Sequence, residues 1–246
     1  MPLPNKNALL DELNISNALN NSNGKYTAAS WSTFTTTRTN AQNIYNASWN
    51  PQSMVDSART SLYNARISLV FQDYYVNLTL FDYPCSAMEF YGGSYNGTNF
   101  NRNAGYFGSG VVRVGRWITG SEDEINRAFC RYYKPSLSVP QVKRVTMSWA
   151  AGNYCRMLYT ISSISGLSGI NLAQCATGGT YVDVGAASSY DVTTLIVNAI
   201  NNGSNAYIDI EFRHNLDTSQ GVNGGLTNGQ LYQFGIPTIT ITYNLT

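Results

Sequence analysis

The apolar residues of this chain change their spacing once, near Val70, and that switch limits what the chain can fold into. Before it they recur every three or four residues. "NPQSMVDSARTSLYNARISL" sets Val55, Ala58, Leu62, Ala65 and Leu69 in one stripe, the pattern of a helix with a single buried face. Asn50 fits the N-cap and Pro51 the first helical position, where a missing N–H is not needed. Trp49 can then pack on Met54 as a hydrophobic staple. The preceding segment repeats the device with Tyr26, cap Thr27 and Trp31. Its stripe runs through Trp31, Phe34, Arg38, Ala41 and Tyr45, with Ile44 beside it, and an earlier helix carries Leu9, Leu10, Leu13 and Leu19. Three amphipathic helices with short connections predict an antiparallel three-helix bundle over residues 1–70.

After Val70 the period is two. "DYYVNLTLF" places Tyr74, Val76, Leu78 and Leu80 on one face, as a half-buried strand does. "AYIDIEFR" alternates more strictly, with Ala206, Ile208, Ile210 and Phe212 read as inward and Tyr207, Asp209, Glu211 and Arg213 as outward. "GIPTITITYNL" puts Ile239, Ile241 and Tyr243 on one side and threonines on the other, and "KRVTMSW" gives Val145, Met147 and Trp149 with "YCRMLYTI" as its hairpin partner. Short strands separated by Gly and Asn turns predict a jelly-roll-type β-sandwich over residues 71–246. One helix is expected inside it: in "DVTTLIVNAINNG", Val192, Leu195, Ile196, Ala199 and Ile200 keep helical spacing, with Asp191 as cap and Gly203 as stop. The fold class is therefore mostly β with a separate α domain.

Charge excludes several partners. Net charge is +1 and 12% of residues are charged, too weak a field to draw nucleic acid or an anionic membrane. No run reaches the roughly 20 apolar residues of a membrane span, so membrane insertion is not expected. The start, "MPLPNKNALLDEL", has no basic segment followed by an apolar core, which points to synthesis in the cytoplasm. Cys85, Cys130, Cys155 and Cys175 lack the short paired spacing of a zinc site and read as buried thiols, with disulfides as the alternative. The 18 Tyr and four Trp either supply surface rings for a binding face or fill the faces of sheets.

Two resemblances extend this reading. "YTAASWSTFTTTRTNAQNIYNASWNPQSMVDSARTSLYNARISL" resembles the FIVAR module, with its Tyr-Thr followed by Ser-Trp and its Ala-rich helices, over about residues 5–70. That likeness implies a spacer or adhesive accessory of the kind found in bacterial surface and phage proteins. Three stretches further on, in order, resemble the DNRLRE β-sandwich family. They are "NAGYFGSGVVRVGRW", "NRAFCRYYKPSLSVPQVKRVTMSW" and "YDVTTLIVNAINNGSNAYIDIEF", within residues 80–246. Tyr133 stands where that family usually has Asp, and the Trp often found late in the helical motif is absent, so the likeness carries the fold and no binding residues.

Candidate chemistry is sparse. "NAGYFGSGVVRVGRW" has the look of a phosphate loop, but Gly108 and Gly110 lead into Val111, Val112 and Val114. β-branched residues there predict a strand, whereas dinucleotide and P-loop sites need a helix N-terminus or Gly-Lys-Ser/Thr. The glycines read as a turn. Arg113 and Trp117 share a strand face and form a candidate sugar platform, a flat ring for stacking beside a guanidinium for hydroxyls. The alternative buries Trp117 at a sandwich end. Glu122, Asp123 and Glu124 in "GSEDEIN" are candidate calcium ligands, although the spacing is not that of an EF-hand and a hairpin turn also accounts for it. His214, the only histidine, follows Arg213 at a strand end, where a capping or solvent-facing place is expected.

No reactive cluster is visible, so the chain is expected to be non-enzymatic and to need no cofactor. The resemblances imply a virion surface or appendage protein of a phage, synthesised in the host cytoplasm. It would bind other virion or surface chains, assemble as a homo-oligomer and face cell-envelope polysaccharide. Two alternatives stay open: a secreted bacterial carbohydrate-binding or adhesin module, and a polysaccharide-degrading enzyme built on paired carboxylates.

Overall fold

The fold is described from a computed structural model, over residues 3–80, 86–89, 101–102, 111–119, 122–126, 128–137, 141–148, 155–159, 181–184, 189–202, 206–214 and 230–245. Helices come first and antiparallel sheets follow. The chain divides into two compact units, Met1–Tyr74 with Asn244–Thr246, and Tyr75–Tyr243.

The first unit holds α1 (Asn7–Asn17), α2 (Ala28–Asn46) and α3 (Gln52–Ile67). Leu9 and Leu13 of α1, Phe34 and Ala41 of α2, and Val55 and Leu62 of α3 form one buried core, with Leu19, Trp31, Ile44, Tyr45, Ala58, Ala65 and Leu69 packed on it. These are the stripes that the spacing predicts, except that Leu10 of α1 lies outside the cluster. Each large apolar side chain taken out of water there contributes about 1.5–3 kcal/mol. Glu12, buried on α1, accepts from Arg66 Nε at 2.6 Å and from its Nη2 at 3.2 Å. The Glu12 carboxylate in turn holds the Arg66 guanidinium above its ordinary pKa.

Thr27 caps α2, its hydroxyl accepting from Ser30 N at 3.4 Å, and Tyr26 stacks on Trp31 with centroids 5.7 Å apart and rings 2° from parallel. The cap and staple expected there are both present. At α3 the expectation is corrected. Pro51 occupies the N-cap, and the Asn50 amide instead donates to Ile44 O at 2.9 Å, satisfying a carbonyl near the end of α2 rather than an N–H of α3. Trp49 and Met54 are both exposed. The chain leaving α3 pairs back on the segment before α2: Thr27 N donates to Val70 O and Gln72 N to Lys25 O, with an antiparallel bridge between Tyr26 and Phe71.

Among the described residues the second unit contains three sheets. In the four-stranded sheet β1 (Tyr74–Asn77), β13 (Thr238–Tyr243), β7 (Val142–Ser148) and β10 (Ser189–Asp191) lie in that order. The six-stranded sheet runs β3 (Asn101–Arg102), β2 (Ser86–Glu89), β6 (Ala128–Tyr133), β11 (Tyr207–His214), β8 (Cys155–Tyr159), β9 (Tyr181–Val184). A three-stranded sheet runs β12 (Gln230–Gly235), β4 (Val111–Thr119), β5 (Glu122–Asn126). One core joins them: Val145, Met147, Ile239 and Ile241 from the first sheet, Cys130, Tyr132, Ile208, Ile210 and Phe212 from the second, and Val114 from the third. α4 (Thr193–Asn202) adds Leu195, Ile196, Ala199 and Ile200, with Val192 just before it.

Two strand expectations change. "YCRMLYTI" is not the hairpin partner of "KRVTMSW": β7 pairs with β10 and β13, whereas β8 pairs with β11 and β9. Consecutive strands thus go to different sheets. The face of β11 read as outward is not solvated, because the strand is buried from Ile208 to His214. It lies between β6 and β8 and also packs against α4, β4 and β12. His214, expected to cap or face water, is 3% exposed.

Candidate functional site

Residues directly opposite one another in an antiparallel pair share a face. In the β6–β11 register Tyr207 faces Tyr133, Asp209 faces Arg131 and Glu211 faces Phe129. Period-two alternation therefore places Tyr207, Asp209, Glu211 and Arg213 in one row on β11, flanked on β6 by Tyr133 and Arg131.

The row is charged and buried at one end, aromatic and open at the other. Arg131 Nε donates to Asp209 Oδ1 at 2.6 Å and its Nη2 to Oδ2 at 2.9 Å. This bidentate fork is the strong form of the contact, since both carboxylate oxygens and two guanidinium donors are aligned at once. Further along, Arg213 Nε donates to Glu211 Oε1, with Glu211 fully buried. Desolvating four ionised groups is expensive, and pairing in good geometry is what makes it tolerable. On the far side of β11 the register sets Leu158 opposite Glu211 and Arg156 opposite Arg213.

At the open end Tyr133 is 45% exposed. Its ring lies 5.6 Å from that of Tyr207 at 46°, within the tilted geometry that aromatic pairs favour. The Arg131 guanidinium carbon sits 5.2 Å from the Tyr207 ring centroid, a cation–π distance. Tyr207 is thus flanked by a second ring and by a cation that Asp209 holds in place. Backbone bonds from Tyr133 N to Thr79 O and from Lys134 N to Ala206 O, each 2.8 Å, fix the strand ends.

The residues singled out in the sequence lie on the three-stranded sheet. Residues 111–119 form a strand, as the valines predict; the glycines of the expected turn, Gly108 and Gly110, lie outside the described residues. Arg113 faces Gln233 of β12, and Trp117 faces Glu124 of β5. Gly115 lies between them, paired with Leu231 of β12 on one side and Asn126 of β5 on the other. Gly115 has φ 116°, a region open to glycine and closed to other L-residues. Glu122, Asp123 and Glu124 stand on β5, with Thr119 opposite Glu122, so they occupy successive strand positions that alternate between faces. The β4–β5 hairpin brings Trp117 level with one of those acids. Among the described residues no group of three or more His, Cys, Asp or Glu assembles as a metal site.

At the start of α4, Asp191 Oδ1 accepts from Thr193 N at 2.9 Å, and Arg144 Nε lies 3.4 Å from Asp191 Oδ2. Hydrogen bonds from Thr193, followed by the Arg144 charge, hold the Asp191 carboxyl below its ordinary value of 3.8. Among the described residues no helix is long and apolar enough to cross a membrane.

The Tyr133–Tyr207–Arg131–Asp209 arrangement is the site that sequence reasoning missed. A usable signal was present: Arg131 and Tyr133 are two apart, as are Tyr207 and Asp209, so one register aligns both pairs at once. The register itself is not in the sequence. No protein-family model matches the chain, and no curated protein matches it.

Proposed function

We propose that this chain is a non-enzymatic structural protein of a phage virion surface or appendage. In this reading the helices form an antiparallel three-helix bundle, FIVAR-like, that serves as spacer or attachment module. The sheets form a jelly-roll-type sandwich, DNRLRE-like, that serves as scaffold and as a head for host envelope polysaccharide. The sandwich is supported by strands of the four-stranded and six-stranded sheets lining one core with α4 and with Val114 of the third sheet, and the jelly-roll type by β7 and β8 leaving for different sheets.

The observation that carries a structural rather than a catalytic role is the commitment of the β6 and β11 charges to one another. Arg131 is forked on Asp209, and Arg213 is bonded to Glu211, all within the fold. Carboxylates whose oxygens are engaged by buried guanidinium groups have little access to a substrate proton, and general acid–base work needs that access.

The reading is tested by the native mass of the purified chain, with a screen for polysaccharide cleavage alongside. A stable homo-oligomer without hydrolase activity is expected. A monomer that depolymerises envelope polysaccharide overturns the proposal. A second reading, a secreted bacterial adhesin module, is favoured by the exposed Tyr133; it is distinguished by a monomer that binds glycan and cleaves none.

A further inference from the structure

We propose that Tyr133 and Tyr207 form a binding subsite for a neutral pyranose, with Arg131 and Asp209 as positioning residues beside it. The inference deepens the polysaccharide-binding part of the reading above and rests on it.

A single exposed tyrosine on a sheet is ordinary. Here the exposed ring belongs to a braced assembly. Tyr133 is 45% exposed, whereas its neighbour Tyr132 is buried in the core. Tyr207, partly exposed, has Tyr133 at 5.6 Å and the Arg131 guanidinium at 5.2 Å. Arg131 in turn is fixed by both oxygens of Asp209. Buried ion pairs add little net stability compared with apolar side chains of the same volume, so core stability alone does not account for one directly beside a surface aromatic pair. Immobilisation of the rings does account for it. A platform whose rotamers are already locked loses little entropy when a ligand arrives, which is the main lever on affinity at a shallow site.

The chemistry of the face selects the ligand. Two tyrosine rings 5.6 Å apart and tilted by 46° combine apolar ring surface with phenol groups. A pyranose matches both features, with axial C–H groups for the ring faces and hydroxyls for the phenols. The guanidinium beside Tyr207 is paired with Asp209, which favours a neutral sugar there over a carboxylated or sulfated one.

The experiment uses the full chain and an array of neutral hexose and N-acetylhexosamine oligosaccharides. The strongest-binding glycan is then titrated against wild type, Tyr133→Ala, Tyr133→Phe and Trp117→Ala, with melting temperatures recorded for each. Tyr133→Ala is expected to weaken binding about tenfold, the loss typical of an interface anchor, and Tyr133→Phe to retain most of it. Bound glycan should also protect Tyr133 from nitration by tetranitromethane, a readout that needs no variant. Unchanged affinity in Tyr133→Ala with no protection of Tyr133 overturns the subsite, while glycan binding itself survives. Loss in Trp117→Ala alone moves the site to β4. If no arrayed glycan binds while the chain still forms its oligomer, the subsite falls and the structural reading stands.

Discussion

Gly24 sits at φ 74°, a conformation that costs a non-glycine residue about 1 kcal/mol. A Cβ added there would also run into the Tyr74 hydroxyl, which donates to Gly24 O at 2.8 Å. Gly24→Ala is therefore expected to destabilise the helical unit by about 2 kcal/mol in urea titration, strain and clash together. In a Tyr74→Phe background the clash is removed, and the same substitution should cost about half as much; equal costs in both backgrounds would show that the hydroxyl plays no part. Asp209 belongs to the same scale and gives the opposite lesson about legibility. Nothing in "AYIDIEFR" distinguishes a solvated polar face from one covered by a second layer, because alternation records two faces and not what lies beyond them. Asp209→Ala, which strands Arg131 in the interior, is expected to cost about 3–5 kcal/mol, whereas Arg131→Met with Asp209→Leu should recover most of that loss. A mild effect of the single substitution in chemical denaturation would show the pair to be solvated.

At the scale of elements, the sequence is readable where a structure is local. Thr27 and Trp31 predict the start of α2 because the cap and staple join residues within one turn. Asn50 misleads because its amide has a choice of orphaned backbone groups and takes a carbonyl of the previous helix. The false hairpin of β7 with β8 has the same origin: proximity in the chain favours pairing, but sheet membership is decided by strands far away in sequence. α4 was legible from its stripe; Val192 rather than Asp191 holds its N-cap position, and the Asp191 carboxylate that accepts from Thr193 N gives a pH prediction with a definite sign. Thr193 and Arg144 lower the Asp191 carboxyl below 3.8, so the folded state favours the anion. That stabilisation is fully present above the ordinary value and fades as pH falls through it toward the lower folded value. Asp191 is well exposed, so solvent screening keeps the effect small. Wild type and Asp191→Asn should differ by a constant amount above about pH 5 and converge below about pH 4. A gap that widens on acidification would reverse the assignment.

At the scale of the whole molecule, the switch near Val70 corresponds to a change of core rather than only a change of period. The residues before it line one apolar cluster and those after it another. What the sequence could not convey is that the chain closes on itself. β1 and β13 are neighbours in one sheet, and they run in opposite directions, since Asn77 bonds to Thr240 while Asp73 bonds to Asn244. The chain just past β13 thereby comes alongside the chain just before β1. The Asn244 amide donates to Gln72 O at 2.7 Å and to Asp73 Oδ1 at 2.8 Å, which ties Asn244 to the unit that holds the helices. The core of the helices and that of the sheets, as the described residues show them, predict two unfolding transitions in calorimetry, and the one with the larger enthalpy belongs to the sheets, because unfolding enthalpy scales with residue number. Each hydrogen bond from Asn244 contributes about 0.5–1.5 kcal/mol. Asn244→Ala should then lower the smaller transition by about 4–8 °C for each kcal/mol lost and leave the larger one in place. A shift confined to the larger transition would assign Asn244 to the sheets instead, and a single transition moving as a whole would show that the two cores unfold as one.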